Sequence, residues 1–421
     1  MKVMVVHPAQ QHSYRLAAAL KKQGFLYKYV TTVYCKSGSF TKAAACLLRG
    51  NLRKKAFARS CEELEDSDVV QFCEGEGLLK LLTMHLPDMK RFYRKVKYHT
   101  ADRFAKKAAR YAIRHQVDAV VGYDDSSSLL FETLAKQAPE ILRILDMSAA
   151  NILYMKEIYE KDIELQPHFA ARLKGERQVV WDRETRLRAK QELQYAQIFL
   201  TPSHFVEKSL KASGILEQQI KICPYGVDPE RFSVKTYRDP EEISETPVRF
   251  IYVGGVKELK GISYLLEAIQ NLPESRVQLT VVGQVQTSDP DLLPFLERVQ
   301  FTGPVLHEKV AELLQEADVF VFPSLGEGWS LAVLEAASCG LPLILSEHSG
   351  VNDAVTDGRE GFVVPIQSTE ALTEKMRWFT EHPDQIEPMG RAAREMALGY
   401  TWERYEKRVA KIFGEELTAS G

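Results

Sequence analysis

Short apolar runs rich in β-branched residues alternate with longer stretches of helical periodicity along this chain. That alternation is typical of parallel sheets covered by helices. The first half of the chain predicts helices at 13–23, 88–115 and 183–195. Its predicted strands are KVMVVHP (2–8), DVVQF (68–72), AVVGY (119–123), RILDM (143–147), IFLTPS (198–203) and IKICPYG (220–226).

The strand pattern restarts at residue 248 and predicts a second sheet. Its strands are VRFIYVGG (248–255), VQLTVVG (277–283), VQFTG (299–303), VFVFPS (319–324), LPLILS (341–346) and GFVVP (361–365). Each strand ends in Gly, Pro or Ser, which indicates a turn over the carboxyl edge, where open α/β sheets bind ligands. The polar segment 228–247 contains three prolines and is interpreted as a linker. The pattern therefore predicts an α/β protein with two doubly wound, Rossmann-like domains facing across a cleft.

Composition agrees with a soluble globular protein, because 45% of the 421 residues are hydrophobic and 27% are charged. No run of 18 apolar residues occurs, and the start MKVMVVHPAQQ lacks the features of a signal peptide. We therefore expect a cytoplasmic location. The six cysteines show no metal-ligand spacing, which favours reduced thiols.

The stretch SLGEGWSLAVLEAASCGLPLI (324–344) carries the most distinctive local chemistry. A turn at 325–328 follows a buried strand, and Trp329 or Ser330 is predicted to begin a helix that runs to about Ser338. Glycines on both sides of Glu327 allow a ligand to approach the backbone closely. The free amides of the first helical turn favour an anionic phosphate.

Two glutamates frame this helix. Glu327 lies on the loop and can accept hydrogen bonds from the hydroxyls of a neutral ligand. Glu335 lies two turns further along, in an otherwise apolar run where an unpaired carboxylate would cost several kcal/mol. A nucleotide sugar would satisfy both glutamates and the helix amides. The alternative is that Glu327 is a solvated loop residue and Glu335 is ion-paired within the fold.

The segment 302–365 resembles the retaining glycosyltransferases of the GT-B fold, in particular family 4 (glycosyltransferase group 1), which have a pair of glutamates separated by seven residues. The resemblance covers nearly all of residues 180 to 405. It continues in the phrases LTPSHFVEKSLKASGI (200–215), CPYGVDPERF (223–232), KGISYLLEAI (260–269) and MGRAAREMALGYTWERY (389–405).

The resemblance implies a role for each matching position. Glu327 would contact the hydroxyls of the transferred sugar and Glu335 the ribose. Lys260 would neutralise the diphosphate as the leaving group departs; the alternative is a surface lysine at a helix start. The amides expected to face the sugar and the diphosphate are those of Gly328, Trp329, Ser330 and Leu331.

Two positions depart from the family pattern. Many relatives have an arginine that shares the diphosphate where this chain has Gly255, and Lys257 is close enough in sequence to substitute for it. A histidine often follows the fourth strand of the first domain, where this chain has Asp146. That carboxylate could hydrogen-bond the sugar or orient the acceptor; the alternative is that it caps the next helix.

The first domain carries few of the family's phrases, and acceptor recognition is expected there. Segment HPAQQHSYR (7–15) replaces a glycine-rich loop and is predicted to bring Gln11 and His12 to the cleft. His12 could accept a proton or donate to a phosphate, or could belong to a helix cap. The pair Asp124–Asp125 resembles a metal-binding motif, but GT-B enzymes generally need no metal and a helix cap is the simpler interpretation. We therefore expect neither a metal nor a cofactor besides the donor.

Two basic segments stand out in a chain of formal net charge −2. Segment 36–59 has seven Lys or Arg and no acid, and segment 88–115 has ten against two aspartates, interleaved with apolar residues. A basic amphipathic pair of helices favours a membrane surface or a lipid-linked acceptor. Nucleic-acid binding and a plain solvated face are the alternatives, and nucleic acid is not expected.

Together these features predict a metal-independent, retaining glycosyltransferase that moves a sugar from a UDP- or GDP-type donor to an acceptor hydroxyl, in polysaccharide or lipid-linked glycan biosynthesis. Residues 1–232 would bind the acceptor and 245–395 the donor. The last helix, from about Glu395, would cross back so that 396–421 pack on the first domain. The alternatives are a nucleotide-sugar epimerase, or an inactive binding or scaffold protein, which Gly255 and Asp146 would support.

Overall fold

The computed structural model describes residues 1–9, 12–84, 90–176, 182–285 and 290–416, and these form two parallel sheets covered by helices. The first sheet has the order β3-β2-β1-β4-β5-β6-β7. Its strands are β1 (Val3–Val6), β2 (Leu26–Thr31), β3 (Val69–Gln71), β4 (Ala119–Tyr123), β5 (Leu142–Asp146), β6 (Ile198–Thr201) and β7 (Ile220–Ile222). The second sheet has the order β10-β9-β8-β11-β12-β13. Its strands are β8 (Val248–Val253), β9 (Val277–Val282), β10 (Val299–Gly303), β11 (Val319–Phe322), β12 (Leu343–Ser346) and β13 (Gly361–Val364). The predicted pair of doubly wound domains is therefore confirmed.

Helices connect successive strands and cover the sheets. In the first half they are α1 (Ser13–Lys22), α2 (Phe40–Leu47), α3 (Gly50–Phe57), α4 (Glu74–Met84), α5 (Lys90–Arg114), α6 (Ser128–Gln137), α7 (Ile152–Leu165), α8 (Ala170–Glu176), α9 (Arg183–Tyr195) and α10 (His204–Lys211). In the second half they are α11 (Pro240–Glu245), α12 (Ile262–Gln270), α13 (His307–Glu316), α14 (Leu331–Ser338), α15 (Thr369–Glu381), α16 (Ile386–Leu398) and α17 (Trp402–Lys411). No helix of the described ranges is long and apolar enough to cross a membrane.

Strand β2 was not predicted from the sequence. Its sequence LYKYVT carries Lys28 in the middle, and its first three residues are only half-buried. The strand nevertheless lies between β1 and β3, and Lys28 Nζ donates a hydrogen bond to the carbonyl oxygen of Ser67 at 2.6 Å. Because Lys28 interrupts the apolar residues of this strand, a search for apolar runs does not find it.

Segment 228–247 is docked on the second domain and is not a loose tether. Lys235 is buried, and its Nζ lies 3.3 Å from Asp318 Oδ1. Arg238 Nη1 lies 2.7 Å from the other carboxylate oxygen of Asp318, which also accepts the backbone N–H of Arg249 at 3.0 Å. The predicted boundaries at 232 and 245 therefore fall within a segment that is attached to its neighbour by buried charges.

The chain crosses between the domains twice, side by side. Val227 donates its N–H to the carbonyl oxygen of Tyr400 at 2.9 Å and forms a parallel bridge with Thr401. The expected continuous last helix is interrupted here, because α16 ends at Leu398 and α17 begins at Trp402. Helix α17 packs on α1 of the first domain, where Lys22 Nζ lies 2.7 Å from Glu406 Oε1.

We predict that Asp318→Ala destabilises the second domain strongly. The substitution leaves buried Lys235 without its carboxylate, and breaking a buried ion pair in this way costs about 3–5 kcal/mol. Chemical denaturation measures the free energy of unfolding. The control is Glu312→Ala, whose pair with Lys309 is exposed and should change the free energy by less than about 1 kcal/mol. Equal effects of the two substitutions would contradict the docked position of the segment.

Candidate functional site

Glu327 lies on the loop that follows β11 at the carboxyl edge of the second sheet. Its backbone N–H donates to the carbonyl oxygen of His348 at 2.8 Å, so the loop after β12 holds the loop after β11. Ser346 Oγ donates to the carbonyl oxygen of Ser324 at 2.5 Å and adds a second tie between the same two loops. The backbone position of Glu327 is therefore fixed by the neighbouring strand end.

Lys260 comes to the same place on a 3₁₀ turn, Glu258–Lys260. Gly261 follows with φ of +69°, and a Cβ there would lie 2.0 Å from the carbonyl oxygen of Pro323, so only glycine lets the turn lie this close to the end of β11. Leu325 donates its N–H to the carbonyl oxygen of Leu259 at 3.1 Å. The turn and the loop are thus joined through their backbones.

The Lys260 ammonium forms an ion pair with Glu327 Oε1. Both side chains keep about a fifth of their surface exposed, 22% for Lys260 and 19% for Glu327, so solvent reaches the pair. The Lys260 Nζ also lies 5.7 Å from the centre of the Phe322 ring. The structure therefore brings together two residues that the sequence singled out separately, one cation and one anion at a single strand edge.

The loop of Glu327 reaches the first domain at Gly328. A Cβ on Gly328 would lie 1.8 Å from the carbonyl oxygen of Ser148, which follows β5, so the two backbones are in direct contact. Trp329 is buried, with its ring centre 5.1 Å from that of Tyr400. Helix α14 then begins at Leu331 with Ser330 as its N-cap residue. These four residues thus lie between the loop of Glu327 and the first turn of α14, and the proposed contacts of their amides with a ligand stay predictions.

Glu335 contacts a residue that the sequence did not single out. On α14 its Oε1 lies 3.1 Å from Nε2 of His307, the first residue of α13. Burial raises the pKa of Glu335, and the neighbouring His307 opposes this shift. Of the two interpretations of Glu335, pairing within the fold is therefore present here, and the ribose contact stays a prediction.

Lys257 is exposed and lies beside Gly255. A Cβ on Gly255 would lie 3.3 Å from both Cδ and Cε of Lys257, so the lysine stem occupies the space next to the position where relatives have an arginine. Tyr252 Oη donates to the carbonyl oxygen of Gly255 at 2.9 Å and fixes this strand end. The side chain of Lys257 thus lies next to the position of the missing arginine, and its role in binding the diphosphate stays a prediction.

The first domain gathers His12, Asp146 and Tyr225 at the carboxyl edge of its own sheet. His12 Nε2 lies 3.2 Å from Asp146 Oδ2 and 2.9 Å from Tyr225 Oη. Asp146 is buried at the end of β5, two residues before the Ser148 that contacts Gly328. Asp146 thus pairs with His12, and the neighbouring helix α7 is capped by Asn151 instead. Gln11, predicted to meet the cleft, lies outside the described residues.

The pair Asp124–Asp125 is held by a buried carboxyl from α9. Glu192 accepts the backbone N–H groups of Asp125 at 3.1 Å, Ser127 at 2.7 Å and Ser128 at 3.2 Å, so it serves the start of α6. Burial raises the pKa of Glu192 to about 8 and that of Asp124 to about 7. Within the described ranges, no group of three or more His, Cys, Asp or Glu side chains is arranged to hold a metal ion.

A second carboxyl pair joins the domains behind Lys260. Glu258, in the turn that ends at Lys260, is buried and accepts a hydrogen bond from Ser263 Oγ at 2.5 Å. Asp162, on α7 of the first domain, is also buried and accepts the hydroxyl of Tyr264 at 2.7 Å. Among the described residues, Asp162 Oδ2 and Glu258 Oε2 have no hydrogen-bond partner, and burial raises the pKa of both carboxyls. The surroundings of each carboxyl therefore favour its protonated form.

Sequence reasoning missed the partners of the predicted residues. These partners are His348 for Glu327, His307 for Glu335, Tyr225 for His12 and Asp162 for the turn of Lys260. His348 follows the predicted strand 341–346 and Tyr225 lies at the end of the predicted strand 220–226, so their positions at the carboxyl edges could have marked them. The other two lie on helices, where no local pattern distinguishes them from ordinary surface or core residues.

Comparison with known families matches residues 247–382, about a third of the chain, to the family described as Glycosyl transferases group 1. Two curated relatives are the sulfoquinovosyl transferase SQD2 of Arabidopsis thaliana and the amylovoran biosynthesis glycosyltransferase AmsK of Erwinia amylovora. The first is 29% identical over 235 residues, which cover 53% of this chain and 45% of the relative. The second is 28% identical over 214 residues, which cover 47% and 51%. The matched regions thus span about half the length of these relatives, and the family match, residues 247–382, lies in the second domain.

Solved structures match the whole fold. The sucrose-phosphate synthase of Thermosynechococcus elongatus has a TM-score of 0.68 at 18% identity, and the match covers 100% of both chains. The Anabaena protein HepE in complex with UDP-glucose has a TM-score of 0.59 at 13% identity, with 98% of this chain and 99% of that chain covered. At this identity the likeness shows the fold alone, and it confirms the predicted GT-B arrangement.

We predict that the Asp162–Glu258 pair makes stability fall as pH rises. Because burial raises both pKa values, the protonated form favours the folded state. This contribution is complete below the ordinary pKa of a carboxyl and is lost as pH rises through the raised pKa. The melting temperature of Glu258→Gln, which keeps a hydrogen-bond donor at all pH values, should therefore decline less between acidic and mildly alkaline pH.

The matched control for this experiment is Glu312→Gln, an exposed glutamate paired with Lys309. Its melting temperature should follow that of the wild type at every pH. Parallel curves for Glu258→Gln and the wild type would show that the raised pKa of Glu258 does not contribute to the pH dependence of stability.

Proposed function

We propose that the chain is a retaining glycosyltransferase that moves a sugar from a UDP- or GDP-type donor to an acceptor hydroxyl. The observation that carries the proposal is the ion pair of Lys260 with Glu327 at the carboxyl edge of the second sheet. A nucleotide sugar offers a diphosphate for the cation and hydroxyls for the carboxylate, side by side on one molecule. The matches to glycosyltransferases support this reading.

The donor binds by replacing contacts that the protein makes with itself. The diphosphate forms an ion pair with the Lys260 ammonium in place of Glu327. The Glu327 carboxylate is then free to accept hydrogen bonds from the sugar hydroxyls. Glu335 receives the ribose hydroxyls, with His307 as its present partner. The crystal structure of HepE with UDP-glucose supports a nucleotide-sugar donor for a chain of this fold. The diphosphate also faces the amides of Gly328, Trp329, Ser330 and Leu331.

The reaction requires charge stabilisation more than a nucleophile from the protein. The bond between the anomeric carbon and the diphosphate oxygen breaks, and its electron pair stays on the diphosphate beside Lys260. The acceptor oxygen forms its bond on the same face of the sugar, and its proton passes to the leaving phosphate. Retention follows because leaving group and acceptor share one face, and the protein mainly positions the reactants.

The acceptor approaches from the first domain. Asp146 and His12 lie at the carboxyl edge of that sheet, and the backbone contact of Ser148 with Gly328 brings this edge next to the loop of Glu327. The Asp146 carboxylate orients the acceptor hydroxyl, with His12 and Tyr225 holding it in place. The acceptor is a growing polysaccharide or a lipid-linked glycan at the cytoplasmic face of the membrane, and the name of the relative AmsK supports the first class.

Two other functions are compatible with the fold. A nucleotide-sugar epimerase would convert its substrate into another nucleotide sugar without net release of nucleoside diphosphate, and an inactive scaffold would leave the nucleotide sugar unchanged. Gly255 and Asp146, the two departures from the family pattern, favour the scaffold. The close contact of Lys260 with Glu327 favours an active donor site. Acceptor-dependent release of nucleoside diphosphate distinguishes the transferase from both.

We predict opposite effects of Glu327→Gln on binding and on transfer. The substitution removes the carboxylate that competes for Lys260, so the preferred nucleoside diphosphate should bind about two- to fivefold more tightly, as expected from a partly exposed ion pair. Transfer should be lost because the sugar has no carboxylate to accept its hydroxyls. Calorimetric titration with UDP and GDP, and release of nucleoside diphosphate from UDP- and GDP-sugars, measure the two effects.

The control is Glu347→Gln, an exposed glutamate on the loop after β12, which should leave both quantities unchanged. If Glu327→Gln transfers sugar at the wild-type rate, Glu327 is not a donor-site residue.

We predict that Lys260→Ala weakens binding of the same nucleoside diphosphate by about ten- to one-hundredfold, the usual value of a hydrogen bond to a charged group. Lys257→Ala, whose ammonium is more exposed, should weaken it by less than Lys260→Ala. Calorimetric titration measures both affinities. A larger loss in Lys257→Ala would assign the main phosphate contact to Lys257.

We predict that Asp146→Asn lowers kcat while the affinity for nucleoside diphosphate stays unchanged, because Asp146 lies on the acceptor side of the cleft. Steady-state kinetics with a soluble acceptor and calorimetric titration measure the two quantities. His12→Asn should act in the same direction, since its Nε2 holds Asp146. Weaker nucleotide binding in Asp146→Asn would move this residue to the donor side.

A further inference from the structure

Helix α2 has its large apolar side chains on the outside. Phe40 is 75% exposed and Leu47, one heptad later on the same face, is 86% exposed. The opposite face buries only the small side chains of Thr41 and Ala45. We call the exposed apolar side chains Phe40, Ala43, Cys46, Leu47 and Leu48 the α2 stripe. A water-soluble surface helix normally has the reverse arrangement.

A neighbouring helix also exposes large apolar side chains. Helix α4 packs against α2 and exposes Leu79 at 41% and Leu82 at 69%. The N-terminus of α2 is fixed to α4, because Glu74 Oε1 accepts both the N–H and the hydroxyl of Thr41 at 2.6 Å. Two neighbouring helices thus expose large apolar side chains, and the contact of Glu74 with Thr41 fixes one helix to the other.

Basic residues follow the α2 stripe along the chain without intervening acids. Helix α3 follows α2 directly and carries Arg53, Lys54 and Lys55, all exposed, and the whole segment 36–59 contains seven Lys or Arg and no Asp or Glu. An apolar helix face with a cationic border is complementary to an anionic lipid surface, in which the apolar groups enter the acyl region and the cations meet the headgroups. The cations could also bind the phosphates of a nucleic acid, but a nucleic acid would not account for the exposed Phe and Leu side chains.

The position of the stripe in the fold suits a reaction at a membrane. Helices α2 and α4 follow the carboxyl ends of β2 and β3, and Asp146 and His12 lie at the same edge of the same sheet. A bilayer that touches the α2 stripe would thus lie on the side of the first domain from which the acceptor approaches.

We propose that the α2 stripe, with Leu79 and Leu82 and the cations of α3, docks the protein on an anionic lipid surface. This inference deepens the proposed function by naming the surface that would bring the enzyme to its acceptor. It rests on the proposed function only where it states that the acceptor is carried by the membrane. The docking itself needs no donor and no turnover.

Vesicle flotation tests the docking. The wild type should bind vesicles of phosphatidylcholine with phosphatidylglycerol, and not vesicles of phosphatidylcholine alone. The double variant Phe40→Ser/Leu47→Ser should bind the anionic vesicles at least about tenfold more weakly, because two large apolar side chains are no longer transferred from water into the lipid. Lys54→Glu/Lys55→Glu should lose about fivefold for each cation removed, with a smaller loss at high salt.

The matched control is Leu293→Ser/Leu306→Ser, two leucines of the second domain that are 55% and 76% exposed. This variant should bind anionic vesicles like the wild type. Circular dichroism and the melting temperature establish that each variant is folded. Equal vesicle binding by the wild type and Phe40→Ser/Leu47→Ser would overturn the proposal. An equal loss of binding in Phe40→Ser/Leu47→Ser and in the control Leu293→Ser/Leu306→Ser would overturn it as well.

Cys46 provides a second readout within the stripe, since it is exposed on α2. Anionic vesicles should slow its modification by a maleimide, whereas vesicles of phosphatidylcholine alone should not. Unchanged modification in the presence of bound vesicles would place the contact elsewhere.

Two further results would overturn the proposal in favour of another partner. One is a lipid-free dimer that becomes a monomer in Phe40→Ser/Leu47→Ser, together with no vesicle binding, which would assign the stripe to a second copy of this chain. The other is binding of duplex DNA that requires Lys54 and Lys55 in the absence of vesicle binding. Nucleoside diphosphate release with a soluble acceptor tests the proposed function separately, so failure of either one is recognised.

Discussion

The contact between Lys260 and Glu327 is the interaction on which the account of this molecule depends. Two opposite charges meet at a strand edge that is still reached by solvent, so their mutual attraction is modest and a ligand can replace it. What makes the contact specific is the backbone around it. Gly261 lets the turn of Lys260 lie against the end of β11, and the carbonyl of His348 fixes the amide of Glu327. The fold therefore holds together the two charges that the proposed donor site requires.

The first domain contributes to this site through contacts between the two domains. The carbonyl of Ser148 touches Gly328, and the carboxyl of Asp162 faces that of Glu258 in the turn of Lys260. The return of α17 to α1 and the paired crossings at Val227 and Thr401 hold the domains together at the other side. A movement of one domain that broke the contact of Ser148 with Gly328 or of Asp162 with Glu258 would change the surroundings of Lys260.

Much of the second domain could be predicted from its sequence, because its strands are short, mostly apolar runs that end in or are followed by Gly, Pro or Ser. The helix after Glu327 was placed to within two residues for the same reason. Strand β2 escaped prediction because Lys28 interrupts its apolar pattern, and the docking of segment 228–247 escaped because Lys235 and Asp318 are far apart in sequence. The pairs His12–Asp146 and His307–Glu335 depend on tertiary contacts over 134 and 28 residues, which a single sequence does not reveal.

The most direct test of the central claim is a crystal structure with the preferred nucleoside diphosphate bound. The account predicts that Lys260 Nζ leaves Glu327 and contacts a phosphate oxygen, while Glu327 turns toward the space of the sugar and Glu335 accepts the ribose hydroxyls. A diphosphate bound elsewhere on the protein, with the ion pair of Lys260 and Glu327 intact, would contradict it.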